Sequence, residues 1–117
     1  MNVVVMVNSS PSGSTLSATA LRFVSACAGA GLRVKAVYFR GDGVYNLLEG
    51  PMSDDSLPAM QIAWVDFAGR HGAELLACSA DVSRRLPEGS VEGTGFTVAG
   101  LARWWQLVDE SDRMVVF

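Results

Sequence analysis

The sequence predicts one α/β domain with three layers, in which helices cover both faces of a mostly parallel central sheet. Runs of β-branched and apolar residues bounded by turn residues alternate with stretches whose apolar residues recur at helical spacing. The chain has 117 residues, 50% of them hydrophobic, enough to bury one core without disulfides or metals. Strands alternating with helices over such a length imply a layered sheet with ligand chemistry at the carboxyl ends of the strands.

The first element is a core strand over Val3 to Val7. Its apolar run is too short for a membrane anchor, and it stops at Asn8-Ser9-Ser10 without the basic start or small-residue cleavage pattern of a signal peptide. Leu16, Ala20, Phe23, Val24 and Cys27 then mark a helix, with Ser14 or Thr15 suited to cap its start and Gly29 and Gly31 to end it. Leu32 to Phe39 is the second strand, and the compact crossover predicts that it runs parallel to the first. Arg40-Gly41-Asp42-Gly43-Val44-Tyr45-Asn46 and the stretch from Leu47 to Leu57, with Gly50-Pro51 and Asp54-Asp55, have the composition of a mobile loop.

Pro58 suits the first turn of a second helix, whose stripe of Met60, Trp64, Phe67 and Ala68 stops near Gly69 to Gly72. Ala73 to Cys78 is the third strand, and Ser79 to Leu86 a short helix. Pro87 to Thr94 is turn-rich; Leu101, Trp104, Trp105 and Val108 mark the last helix, and Met114 to Phe117 the closing strand. No internal repeat, low-complexity tract or linker divides residues 1–117.

The charge balance is −3, from nine Lys and Arg against twelve Asp and Glu, which offers no strong grip on a phosphate backbone and argues against direct nucleic-acid binding. No apolar run approaches the roughly 20 residues needed to cross a bilayer, so the expectation is a soluble cytoplasmic protein that does not use a membrane. The two cysteines, Cys27 and Cys78, form no CxxC and no Cys/His cluster, so neither a zinc site nor a thioredoxin-type motif is expected. In the cytoplasm a structural disulfide between them is not expected either.

Cys78 is the principal candidate for chemistry. It stands at the carboxyl end of a predicted strand, ahead of Ser79-Ala80-Asp81-Val82-Ser83-Arg84-Arg85. The positive end of a following helix favours thiolate over thiol, and Arg84 and Arg85 add positive potential if they fold back. Asp81 opposes this, because a nearby carboxylate raises a thiol pKa. Against a reactive role stands the general tendency of cysteine to be buried as a small hydrophobe. Cys27, on the apolar stripe of the first helix, reads as core. The lone His71 lies beside glycines at a helix end, where it can cap carbonyls or complement the helix dipole, and it has no visible metal-ligating or catalytic partner.

The segment Asn8-Ser9-Ser10-Pro11-Ser12-Gly13-Ser14 resembles a crude phosphate cradle but lacks the GxxxxGK[ST] and GxGxxG spacings, and helix capping accounts for it. Gly41 and Gly43 supply turn geometry, and Tyr45 and Asn46 beside them are placed to contact a ligand or partner. Trp104 and Trp105 cannot both point in one direction on a helix, so at least one is expected in the core and the other is available to an interface.

Three stretches together resemble the DsrE family, in particular its TusD-like sulfur-relay subunits: Val37-Tyr38-Phe39-Arg40-Gly41-Asp42-Gly43-Val44-Tyr45-Asn46, Leu75-Leu76-Ala77-Cys78 with Arg84-Arg85 behind it, and Gly95-Phe96-Thr97-Val98-Ala99-Gly100-Leu101 through Asp112-Arg113 to Phe117. The resemblance spans nearly the whole chain. It implies a three-layer α/β/α fold, with Cys78 as the sulfur-carrying residue. It also implies TusC-like and TusB-like partners in a heterohexamer, or a homo-oligomer of the kind stand-alone DsrE-like proteins form. A TusA-like donor and a TusE-like or DsrC-like acceptor would serve tRNA 2-thiouridine synthesis or dissimilatory sulfur oxidation. Residues 8–14 and the pair Trp104-Trp105 depart from that likeness.

The resulting expectation is a sulfurtransferase that holds sulfur as a persulfide on Cys78, with no metal or organic cofactor. In that account Arg84 and Arg85 support the thiolate, and Gly41 to Gly43 shape the approach. Two other readings remain open from the sequence. One is a non-catalytic assembly or small-ligand-binding module with Cys78 inert, since fold does not dictate function. The other is a flavodoxin-like nucleotide or flavin binder using residues 8–14.

Overall fold

The computed structural model describes residues 1–48 and 60–117. The elements are β1 (Asn2–Val7), α1 (Leu16–Gly29), β2 (Arg33–Phe39), a 3-10 helix (Gly41–Leu47), α2 (Met60–His71), β3 (Glu74–Cys78), α3 (Ser79–Arg85), β4 (Thr97–Ala99), α4 (Leu101–Asp109) and β5 (Arg113–Val116). The strands pair in the order β4-β3-β2-β1-β5, all parallel, so their carboxyl ends gather at one edge of the sheet.

Period-two alternation along these strands sorts the core into two layers. Val3, Val5, Val7, Val37, Phe39, Leu75 and Ala77 face one side, where Ala20, Val24 and Cys27 of α1 and Trp64 and Phe67 of α2 cover them. Val4, Met6, Ala36, Tyr38, Leu76 and Cys78 face the other, beneath Trp104 and Leu107 of α4. The pairing of β1 with β2 slips between Val3 and Val4, which sit opposite Val34 and Ala36. That irregularity explains why Val34 and Ala36, two positions apart, belong to opposite layers.

The expected helices and four of the strands are present, and two elements are additions. Thr97–Ala99 forms a short edge strand beside β3, and Gly41–Leu47, expected as loop, coils into a 3-10 helix. Beyond Leu48, the expected loop and the helix start at Pro58 lie outside the described residues. Thr15 is the N-cap position of α1 without a side-chain cap bond, while Ser14 Oγ accepts the Leu16 N–H at 3.2 Å. Gly31, at φ +84°, turns the chain out of the helix into β2. Among the described residues, no helix is long and apolar enough to cross a membrane.

Candidate functional site around Cys78

The carboxyl edge of the sheet is organised by the turn that follows β2. The Val7 carbonyl accepts the Arg40 N–H at 3.0 Å, and the Arg40 carbonyl accepts the Gly43 N–H at 2.9 Å. A Cβ on Gly43 would stand 1.9 Å from the Val7 carbonyl oxygen, so only glycine permits this close approach. The 3-10 helix is then pinned by Asn46, which is completely buried. Its Nδ2 donates to Gly43 O (2.8 Å), Ser9 O (3.1 Å) and Ser17 Oγ (3.2 Å), and its Oδ1 accepts from Trp64 Nε1 (3.2 Å). Asn46 was expected to contact a ligand or partner; its amide instead ties the loop after β1, α1, α2 and the 3-10 helix together.

Cys78 is the last residue of β3 and the N-cap position of α3, with φ −59°, ψ 120° and no side-chain cap bond. Strand alternation turns its sulfur toward the α4 layer, on the same face as Tyr38. Tyr38 is fully buried, with its ring stacked on Trp104 (centroids 5.4 Å apart, planes at 29°) and its hydroxyl donating to Ala99 O at 3.1 Å. Ala99 is also the residue paired with Cys78 across β3 and β4. Burial pushes the Tyr38 phenol well above its ordinary pKa, and its interaction with the neighbouring Cys78 pushes it further.

Asp81 follows three residues behind Cys78, where a helix side chain folds back toward its N-cap. Its Oδ2 accepts the Gly41 N–H at 2.8 Å. That bond, more than any other contact, holds the carboxyl below its ordinary pKa; burial opposes it, and the Cys78 side chain, Arg85 and Arg40 add to the lowering.

Arg85 does fold back, but onto carboxylates. It pairs with Asp42 and lies 3.7 Å from Asp81 Oδ1, and the bond with Asp42 is the main cause that raises its pKa. Tyr45 also interacts with Arg85. Arg84 is exposed on α3 and has no ion-pair partner among the described residues.

The two thiols occupy contrasting surroundings at similar burial, with Cys27 6% and Cys78 8% exposed. Cys27 lies in the apolar layer under α1, where burial raises its pKa, as a core thiol requires. Cys78 lies in the opposite layer, with Tyr38, Leu76 and Trp104. His71 ends α2 with its ring 4.9 Å from that of Phe67. In residues 8–14, Ser9 O takes hydrogen bonds from Ser17 and Asn46, and Ser10 and Ser14 accept N–H groups of their own turn. Capping and packing thus occupy that segment. Trp104 is in the core, and Trp105 is 56% exposed.

Tyr38, Ala99 and the Gly41 N–H are parts of the site that the sequence reading did not assign. The available signal was period two: Tyr38 lies on the same face as Cys78 once the two strands are in register.

Comparison with known proteins extends over the whole molecule. Proteins named sulfurtransferase TusD from Salmonella newport and Salmonella enteritidis are each 30% identical to this chain over 131 residues, covering all of it and all of themselves. The crystal structure of the ychN protein from E. coli superposes with a TM-score of 0.82 at 17% identity, covering 100% of this chain and 99% of that one. A conserved protein of unknown function from Bacteroides thetaiotaomicron superposes with a TM-score of 0.68 at 10% identity, over 98% and 94% of the two chains. These two likenesses carry the α/β fold. A sequence profile of the DsrE/DsrF-like family matches residues 1–117, and with relatives of that identity over the full length, the chain belongs to the DsrE/DsrF-like family.

Proposed function

We propose that this chain is a sulfurtransferase subunit of a sulfur relay, in which Cys78 receives sulfane sulfur as a persulfide and passes it to an acceptor protein. The observation that carries the reading is the position of Cys78. It ends β3 at the carboxyl edge of a parallel sheet, in the same buried layer as Tyr38 and one helical turn before Asp81, whereas Cys27 is enclosed by apolar core. Relatives bearing the name sulfurtransferase support the same class of chemistry.

The step balances without an outside oxidant. The Cys78 thiolate attacks the outer sulfur of a donor persulfide, the donor S–S bond breaks as a new one forms on Cys78, and the donor leaves as a thiolate. That thiolate takes up the proton Cys78 gave up. An acceptor thiolate repeats the exchange on the outer sulfur of Cys78.

In this proposal residues 1–117 form one cytoplasmic sulfur-relay domain that works with TusC-like and TusB-like subunits or with further copies of itself. It takes sulfur from a TusA-like donor and gives it to a TusE-like or DsrC-like acceptor, in tRNA 2-thiouridine synthesis or dissimilatory sulfur oxidation.

One observation favours a second reading. Cys78 is 8% exposed, packed with Leu76, Tyr38 and Trp104, as an inert cysteine in a non-catalytic module would be. Incubation with a persulfidated donor, followed by intact mass under non-reducing conditions, separates the two. The relay reading expects one added sulfur atom in the wild type and in Cys27→Ala, and none in Cys78→Ser. No added sulfur in any form, with partner subunits present, would favour the inert module.

A further inference from the structure

A groove of about 560 Å³, within the size range of ligand-binding clefts, opens between α3 and the β4 edge of the sheet. Ser79, the residue after Cys78, lines one part of it; Val82, Leu86, the turns over residues 87–92 and Val98 of β4 line the rest. We propose that this groove docks an extended, basic segment of a protein that exchanges sulfur with Cys78. The inference rests on Cys78 being the sulfur carrier and adds how a partner is recognised beside it.

The groove is preformed. Leu86 is buried, and Val82 and Val91 pack against the core, which fixes the apolar floor. The Ser90 N–H and hydroxyl both donate to Pro87 O, and those of Thr94 to Val91 O, so two turns hold the wall. On the far side, Val98 is 43% exposed, on a strand that ends the sheet and has no strand along its outer side. An open strand edge beside an apolar slot suits an extended segment, whose backbone bonds to the edge while alternate side chains enter the slot. Val98 pairs with Ala77 and the next residue with Cys78, so a segment following the groove toward Ser79 arrives at the carboxyl edge in register with the cysteine.

The charged residues in the lining are all of one sign. Glu88 and Glu92 line the groove, and neither has an ion-pair partner among the described residues. None of the nine Lys and Arg of the chain lines it; Arg85 of α3 is turned to Asp42 and Asp81 instead. Two unpaired carboxylates over an apolar floor select a segment in which basic and apolar residues alternate. They also disfavour a second copy of this chain as occupant, because its net charge of −3 brings like charge to the groove.

The test is an NMR titration of the full chain with a capped hexapeptide of alternating lysine and valine, and with its counterpart of alternating glutamate and valine. The lysine peptide is expected to shift the amides of residues 79–98 and the glutamate peptide to leave them in place. Glu88→Gln with Glu92→Gln should weaken binding about fivefold, Val98→Ser about threefold, and added salt should erase the effect of the glutamates. In a second arm, each peptide carries an added cysteine and takes sulfur from persulfidated protein; uptake by the lysine peptide should be about fivefold faster, and the double glutamine variant should remove that advantage.

No binding, equal binding of both peptides or shifts lying elsewhere would overturn the proposal even if Cys78 carries sulfur. So would groove shifts that grow with protein concentration alone, which mark a second copy as the occupant. Binding without faster transfer would overturn the link to Cys78. Selective binding by a protein that never loads sulfur would uphold the groove while refuting the relay function.

Discussion

Replacing Gly43 with alanine tests how the candidate site is built. The new methyl would lie 1.9 Å from the Val7 carbonyl oxygen and 2.8 Å from its carbonyl carbon. Relief requires the turn to retreat by roughly 1.5 Å to reach an ordinary carbon–oxygen approach. The obstacle is backbone in the central strand β1, and that same carbonyl already accepts the Arg40 N–H. Retreat would therefore break that bond and pull Gly43 O away from the buried Asn46 amide. Overpacking typically costs 1–3 kcal/mol, and with no flexible side chain to absorb it we expect a loss of at least about 3 kcal/mol. For a domain of this size that is a fall in Tm of roughly 12 °C. Urea denaturation of Gly43→Ala measures it, with Gly69→Ala as control. Gly69 lies in α2 with nothing within 4 Å of its added Cβ, so the control is expected to gain up to about 1 kcal/mol. A Gly43→Ala protein within about 0.5 kcal/mol of wild type would refute the close-approach argument.

Other outcomes follow from the same geometry. Asn46→Ala leaves the Trp64 indole N–H without its partner and opens a buried void; about 2–4 kcal/mol of stability should be lost in chemical denaturation. Trp104→Ala should cost about 3–5 kcal/mol by the same assay, whereas Trp105→Ala, at a half-exposed position, should change stability by less than about 1 kcal/mol. Asp81 has a depressed folded-state pKa, so it contributes stability above its unfolded pKa and loses it as the pH falls through the folded value. Stability curves against pH should therefore show a weaker acid-side decline in Asp81→Asn than in wild type, and identical declines would remove Asp81 from the account.

The parts of the fold visible in the sequence were those where burial dictates residue type. Val3 to Val7 and the run ending at Cys78 are buried on both faces and read as unbroken apolar runs, while α1 buries one stripe at helical spacing. β4 escaped notice because Thr97–Ala99 is three residues long, half-exposed at the sheet edge and flanked by glycines, so nothing in it alternates. The 3-10 helix was hidden for a different reason. Gly41, Asp42, Gly43 and Asn46 have loop composition, and their order comes from contacts with β1, α1 and α2 that are remote in sequence.

The site divided along the same line. The place of Cys78 was legible because a cysteine that ends an apolar run just ahead of a helical stretch is a one-dimensional pattern. Its neighbours were not, because Tyr38 reaches it only through the β2–β3 register and Gly41 fixes Asp81 from 40 positions away. The arginines show how far composition can mislead: Arg85 folds back along the surface, but it serves Asp42 and Asp81 rather than the sulfur.

The central claim is that sulfur travels on Cys78. Its most direct test is peptide mass spectrometry under non-reducing conditions on wild-type protein charged by a persulfide donor, before and after addition of an acceptor thiol protein. The account predicts one extra sulfur on the peptide containing Cys78, none on that containing Cys27, and its loss from Cys78 as the acceptor gains it. Extra sulfur on Cys27, or sulfur on Cys78 that no acceptor removes, would contradict it.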